Sequence, residues 1–404
     1  MLIDRPLYLA QLERLRDKQI IKVITGIRRC GKSTLLDLFA ARLIESGVPE
    51  NRIIRLNLEN PENADLLTYQ ALYSEIVRCL QPDGKNYILL DEVQMAEEFQ
   101  RAVDGLFIRE DCDVYVTGSN ARLLSGELAT LLSGRYVEIR MMPLSFAEYV
   151  SAVGSGDLAG SYRRYLETGS FPYTLGIADT HDCMDYLEGI YNTVVVKDVG
   201  TRRGIANVAA LERVARFAFD NIGNLTSVNA VTKALNSGGR GLSVNTVEGY
   251  YRAFTESFLL YKAERFDVKG KQYLMSGAKY YAVDMGLRRY LLGAGRAYYG
   301  RQLENIVYLE LLRRYRNVYV GKVGDMEIDF VVTSDAGQEY FQVAYTVIDD
   351  SGDTLRRELA PLERIHDHNP KYLLTMDVVP NASHNGIRQV NALDWLLGRG
   401  ADAN

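Results

Sequence analysis

The sequence predicts an α/β protein: a parallel sheet first, then a helical segment, a helix–hairpin module and a second α/β unit. Three observations carry this reading. Over residues 1 to about 150, short apolar runs alternate with amphipathic helical patterns, the rhythm of right-handed βαβ units. A glycine-bounded turn, Gly26 to Gly31, joins the first run to the first helical pattern. The chain has 404 residues, too many for one core, so further domains are expected.

Within the first 145 residues the expected strands are IKVIT (21–25), RIIRLNL (52–58), NYILLD (86–91), DVYVTG (113–118) and RYVEIR (135–140). Most are near-continuous apolar runs, as strands covered on both faces must be. STLLDLFAARLIES and TYQALYSEIVRCL are helical patterns between them. Residues 146–204 read as a helical lid or connector, in SFAEYVSAV, SYRRYLETG and HDCMDYLEGIYNTVVVKDV. Residues 205–295 carry three helical patterns, NVAALERVARFAFDNIG, SVNAVTKALNSG and SVNTVEGYYRAFTESFLL. The last two each open on a serine suited to capping. Two strand-like runs follow, LYKAERFD and KYYAVD, flanking KGKQYLMSG. Three helices and a hairpin are the winged-helix layout. Residues 296–404 form a third unit: a helix ENIVYLELLRRY, paired strands, a helix TLRRELAPLERI and a strand KYLLTMD.

Composition excludes several classes. A net charge of -5 argues against a wholly basic nucleic-acid coat, although residues 205–295 carry more basic than acidic side chains. The four cysteines form no CxxC pair, so neither a zinc site nor a disulfide framework is indicated. The opening MLIDRPLYLAQLERL lacks the pattern of a secretory signal, and no apolar run is long enough to span a membrane. The expected location is the cytoplasm, with no membrane partner.

The residues that carry chemistry lie at strand ends. Gly26-Ile27-Arg28-Arg29-Cys30-Gly31-Lys32-Ser33 fits GxxxxGK[ST], and Thr34 continues into the following helix as the last residue of the expected phosphate-binding turn. Glycines let backbone N–H groups curl round a β-phosphate, and the helix N-terminus adds partial positive charge. Lys32 would reach the β- and γ-phosphates, and the Ser33 hydroxyl would ligate Mg²⁺. The pattern therefore predicts a P-loop that binds ATP with Mg²⁺; a chance glycine turn is the competing reading. Tyr87-Ile-Leu-Leu-Asp91-Glu92 is an apolar strand ending in two acids. Asp91 would hold Mg²⁺ through water, and Glu92 would polarise the attacking water. An acid directly after the aspartate favours hydrolysis over mere nucleotide holding. The bland alternative is a surface acidic pair.

Val114-Tyr-Val-Thr117-Gly118-Ser119-Asn120 ends a third strand. In additional-strand P-loop ATPases, a strand inserted beside the P-loop strand ends in a polar sensor. Asn120, or Ser119, is the candidate to position the lytic water; capping the next helix is the competing role. Arg135 begins the fifth strand and is a candidate arginine finger toward a neighbouring subunit. A surface arginine at a strand start is the alternative. Arg28 and Arg29, inside the turn, read as solvated or structural, with nucleotide contact as the second reading.

Taken together, ITGIRRCGKSTLL, ILLDEVQ, VTGSNARLLSGELATLLSGRYVEIRMMPLSFAEY and LETGSFP resemble the prokaryotic AAA+ superfamily ATPases. The tail, ENIVYLELLRR…EIDFVV…YFQVAY…TLRREL…KYLLTMD, resembles the domain of unknown function that usually follows that ATPase. The resemblance implies an ATPase core, a winged helix and a restriction-endonuclease-like C-terminal domain. One departure stands out. DNA-cutting folds of that kind place an aspartate on one strand and (E/D)xK on the next, to hold metal and activate water. Glu304 and Asp329 fit the first two acidic positions, but Gln342-Val343-Ala344 stands where Glu-x-Lys would be. The domain therefore reads as a binding or structural remnant; Glu327 and Asp329 as plain solvated strand residues is the alternative.

Two functions follow. One is an AAA+ motor or switch acting on DNA, with SVNTVEGYYRAFTESFLL as recognition helix and Lys269 and Lys271 in the wing. The other is an ATP-gated protein-interaction module with slow or no turnover. Glu248 and Glu256 on that helix would repel DNA if they face outward. A homo-oligomer is expected, because AAA+ sites lie between subunits.

Overall fold

The computed structural model describes residues 2–118, 134–201, 207–237, 241–270, 272–295, 298–335, 337–379 and 382–399. The chain forms two compact units. The first comprises Met1–Pro143 with Phe171–Gly176 and Glu256–Phe258; the second comprises Leu144–Ser170, Ile177–Thr255 and Leu259–Asn404.

The first unit is a five-stranded parallel sheet. Its strands are β1 (Ile21–Thr25), β2 (Ile53–Asn57), β3 (Asn86–Asp91), β4 (Cys112–Gly118) and β5 (Tyr136–Arg140), in the order β2-β3-β4-β1-β5. β4 is therefore the inserted strand, lying between the P-loop strand β1 and the acid-tipped strand β3. Every residue of β1, β3 and β4 is buried, as apolar runs in a two-faced sheet require. The helices that cover it are α1 (Pro6–Leu15), α2 (Lys32–Glu45), α3 (Tyr69–Cys79) and α4 (Phe99–Phe107). α3 and α4 add Leu72, Ile76, Ala102, Val103 and Leu106 to the cluster around Ile88, Leu90 and Val114.

One buried exception interrupts the apolar sheet. Lys22 on β1 pairs with Asp113 on β4, and neither side chain reaches solvent. The pair is tolerable because its polar atoms are used. Asp113 also accepts from the Tyr115 hydroxyl and the Asp17 amide, at 2.8 and 2.9 Å.

The second unit opens with helices α5 (Phe146–Val153), α6 (Leu158–Thr168) and α7 (Thr180–Asn192), then α8 (Val208–Asp220), α9 (Val228–Asn236) and α10 (Val244–Glu256). α5 begins on a capping box between Ser145 and Glu148. The hairpin β6 (Leu260–Asp267) and β7 (Gln272–Ala282) follows, then α11 (Met285–Leu292) and α12 (Tyr299–Arg314). The last elements are β8 (Asn317–Val323), β9 (Met326–Ser334), β10 (Gly337–Val343), α13 (Asp353–Glu363), β11 (Lys371–Thr375), β12 (Ser383–His384), β13 (Ile387–Asn391) and α14 (Ala392–Leu396).

Here the structure departs from the expected boundaries. β6 pairs parallel with β8 through Arg265–Asp267. The hairpin and the tail therefore share one eight-stranded sheet, in the order β12-β13-β11-β10-β9-β8-β6-β7. The expected boundary at 295/296 falls inside this unit. β7 is also longer than the expected KYYAVD. It starts at Gln272, and a register shift between Ala263 and Arg265 on β6, with Gly277 at φ 74°, absorbs the mismatch. α12 is buried along an unbroken stretch from Gln302 to Leu311. Asn305 ties it to β7 by bonding both the amide and the carbonyl of Ala282, at 2.7 and 2.8 Å.

Candidate functional site

The turn between β1 and α2 is shaped by its glycines. A Cβ at Gly26 would sit 2.1 Å from the Met141 carbonyl oxygen, so only glycine lets the chain pass the end of β5. Gly31 caps α2 at φ 103°, a conformation side chains disfavour. Lys32 follows, 4 % exposed, with its ammonium 3.2 and 3.3 Å from the carbonyls of Gly26 and Ile27. Ser33 and Thr34 are exposed on the first turn of α2. There the leading N–H groups of a helix lack intrahelical acceptors. Ile27 and Cys30 are buried under the turn. Burial pushes the Cys30 thiol above its ordinary pKa, so it packs as a neutral group. Arg29 is exposed at φ 66°. Arg28 is half-buried, 3.8 Å from Glu59.

The acids come to this turn at the end of β3. The Lys32 ammonium lies 4.0 Å from Glu92. Asp91 and Glu92 are both buried, so the surface-pair reading is incorrect. Both are held by one hydroxyl: Thr117 at the end of β4 accepts from the Glu92 amide at 3.1 Å and donates to Asp91. Asn57, opposite Asp91 at the end of β2, donates to its other oxygen at 3.0 Å. Gln94 donates to the Glu92 carboxylate. Glu92 sits at φ 52°, a conformation that costs a non-glycine residue about 1–3 kcal/mol. Strain of this kind collects where a side chain must be aimed.

Sequence reasoning missed four of these groups. Asn57 was readable as a polar residue ending a strand parallel to one that ends in Asp91. Thr117 lay inside a quoted motif whose sensor role was assigned to Asn120. Gln94 follows the acids by two and three positions, with nothing in the sequence to mark its role. Arg5 had no signal. It is 3 % exposed, and its guanidinium donates to the carbonyls of Cys30 and Met142 at 3.0 and 2.7 Å. This ties the turn to the end of β5.

One expected residue, Arg135, is not brought to this cluster. Asn120 and Ser119 lie outside the described residues. Arg135 stands beside Ile21, at the opposite end of β1 from the turn. Four strand residues intervene, roughly 16 Å at the usual rise. Its guanidinium pairs with Asp104 on α4 and lies over the Phe107 ring.

A second constellation occupies the second unit. Lys279 on β7 is 4 % exposed along its side chain, and three carboxylates surround it: Glu304 and Glu327 at 2.8 Å and Asp329 at 3.5 Å. The Tyr281 hydroxyl also donates to Glu304, at 2.7 Å. Asp329 is 8 % exposed and accepts from the Val343 amide, so it is not a solvated strand residue. Gln342 accepts from the Asp329 amide and donates to Glu358, at 3.3 and 3.0 Å. One ammonium among three acids leaves surplus negative charge. Burial and then Glu304 raise Asp329 to about 8 in spite of Lys279. Burial opposes the charge on Lys279, but Glu304, Asp329 and Glu327 outweigh it and raise its pKa. Among the described residues, no group of three His, Cys, Asp or Glu has the arrangement to hold a metal ion.

The faces proposed for DNA are mixed. Glu248 is exposed on α10, 3.9 Å from Arg252, so the outward face of that helix carries the acid. Lys269 is exposed in the hairpin turn; Lys271 lies outside the described residues. Among the described residues, no helix is long and apolar enough to cross a membrane.

Residues 18–150 match the family model of an AAA domain, and residues 159–298 match that of a domain of unknown function, DUF8612. The tail from Glu304 onward lies beyond both matches. An uncharacterized protein of Haemophilus influenzae is 38% identical over 403 residues, covering 98% of this chain and 99% of its own. Uncharacterized protein MJ1544 of Methanocaldococcus jannaschii is 26% identical over 340 residues, 80% of this chain and 74% of its own. Among solved structures, a Walker-type ATPase of Pyrococcus abyssi matches 72% of this chain and 95% of its own, at 14% identity and a TM-score of 0.48.

Proposed function

This chain belongs to one family with the Haemophilus influenzae protein and carries an AAA domain at residues 18–150, and on that premise we propose that it binds ATP with Mg²⁺ and hydrolyses it. The observation that carries the reading is the meeting of the glycine turn, the Lys32 ammonium and the Asp91–Glu92 pair at the C-terminal ends of adjacent strands. The backbone amides of residues 26–34 would take the phosphates, and Lys32 would reach the β- and γ-oxygens. Ser33 and Asp91 would hold Mg²⁺, which bridges phosphate oxygens and neutralises developing charge. They fit that ion. Asp91 gives one lone pair on each oxygen to Thr117 and Asn57 and keeps others free. Mg²⁺ in phosphate sites needs only one or two protein ligands. Glu92, aimed by its own strained backbone and by Gln94, is the group to polarise the attacking water.

Asn120 remains the proposed sensor. Arg135 acts on a γ-phosphate only from a neighbouring copy, so its role goes with the proposed homo-oligomer. The proposed setting is the cytoplasm. The cycle is read as driving a motor or switch on DNA, with the hairpin turn at Lys269 as contact. The exposed Glu248 favours a second reading, an ATP-gated module whose target is a protein. Lys32→Ala tests the common premise. Equilibrium binding of a fluorescent ATP analogue should fall about ten- to a hundredfold, the loss of one strong charge-assisted contact, with circular dichroism unchanged. Wild-type affinity in that variant would end the reading.

A further inference from the structure

The second unit holds a half-open cavity of about 400 Å³, within the range of roughly 300–1,000 Å³ usual for small-molecule sites. α6, α11 and the start of α12 wall it, with Tyr345 and Met376 from the segments after β10 and β11. Its charge is unbalanced. Arg163, Arg288 and Arg289 line it, and Glu167 is the one acid among its lining residues, 3.4 Å from Arg289. Arg163 is exposed, and no carboxylate among the described residues pairs with it. Arg288 is 2 % exposed and donates from Nε to the Phe219 carbonyl at 3.0 Å.

Tyr162 packs in the wall with its hydroxyl buried. The lining also has an aromatic side. At the mouth, the rings of Tyr299 and Tyr345 lie 5.3 Å apart between centroids and tilted by 34°, both accessible. Such a pair offers a face to a planar ring.

We propose that this cavity binds a small phosphorylated molecule with a planar ring, of nucleoside-monophosphate size. Arg163 and Arg289 take the phosphate, and the ring rests on Tyr299 and Tyr345. The site is separate from the turn at Gly26–Gly31 and does not depend on how that turn is read.

Titration calorimetry of AMP, and of inorganic phosphate, into the full-length Lys32→Ala chain tests it, because the phosphate-binding turn is then disabled. The expected result is one AMP site, bound more tightly than phosphate. Adding Arg163→Ala and Arg289→Ala should weaken AMP at least about tenfold, and adding Tyr299→Ala severalfold. The same three changes in an otherwise wild-type chain should leave ATP binding and the circular dichroism spectrum unaltered. No AMP binding to Lys32→Ala, or unchanged affinity after the arginine substitutions, would overturn the site. Phosphate binding as tightly as AMP would overturn the ring contact.

Discussion

Thr117 shows how one side chain sets the geometry of two others. Its hydroxyl receives the Glu92 amide and gives its proton to Asp91, so it fixes together the acid proposed to polarise water and the acid proposed to hold the metal. Thr117→Val keeps the shape and removes both bonds. It leaves buried polar groups unsatisfied, at a cost of about 1–3 kcal/mol. Turnover should fall about tenfold or more while ATP affinity changes little, because the proposed phosphate contacts lie on the turn. Paired measurements of kcat and ATP affinity check this; an unchanged kcat would release Thr117 from the role. The turn and the acids were legible because their chemistry requires fixed residue types at fixed spacing. Arg5 was not, because its work is to bond two backbone carbonyls that only the folded chain brings near.

At the scale of elements, the parallel sheet was legible almost strand for strand, since strands buried on both faces leave unbroken apolar runs. The second unit was not. An antiparallel hairpin that follows three helices looks the same in sequence whether it ends as a free wing or joins a larger sheet. The β6–β8 pairing that decides the matter spans more than fifty residues of chain. The same pairing leaves Lys279 on β7 among acids from α12 and β9. A lysine that belongs to a neighbouring element in space gives no signal by spacing.

Two predictions follow from that cluster. Asp329 is held near 8 in the folded chain against an ordinary 3.8, so folding takes up a proton between those values. Its contribution to stability is therefore greatest below pH 4 and is lost as pH rises toward about 8, at up to about 1.4 kcal/mol per pH unit. Asp329→Asn mimics the protonated acid. It should flatten the decline in denaturation midpoint between pH 5 and 8; an equally steep decline would contradict the assignment. The second prediction is that the full chain does not nick supercoiled DNA in Mg²⁺ or Mn²⁺, with or without ATP. Gln342 and Ala344 supply neither a carboxylate nor a lysine, and Lys279 already neutralises part of the acid charge that a metal would need. Metal-dependent nicking abolished by Asp329→Ala would reverse this conclusion.

For the whole molecule, the proposal is an AAA domain whose nucleotide state acts on a second unit that binds rather than cuts. The target of that unit is where sequence and structure part. Net basic charge over residues 205–295 suggested DNA, yet the fold turns Glu248 outward and buries Lys279 and Arg288. A charge count along the chain does not say which charges reach the surface. The central claim is ATP hydrolysis through Glu92. Its most direct test is steady-state phosphate release by wild type and Glu92→Gln, with ATP affinity measured on both, in the presence and absence of duplex DNA. The account predicts near-equal affinity and turnover lower by roughly 10²–10⁴ in the variant, the usual loss when a general base is removed. Wild-type turnover in Glu92→Gln, or a wild-type chain that neither binds nor hydrolyses ATP under either condition, would contradict it.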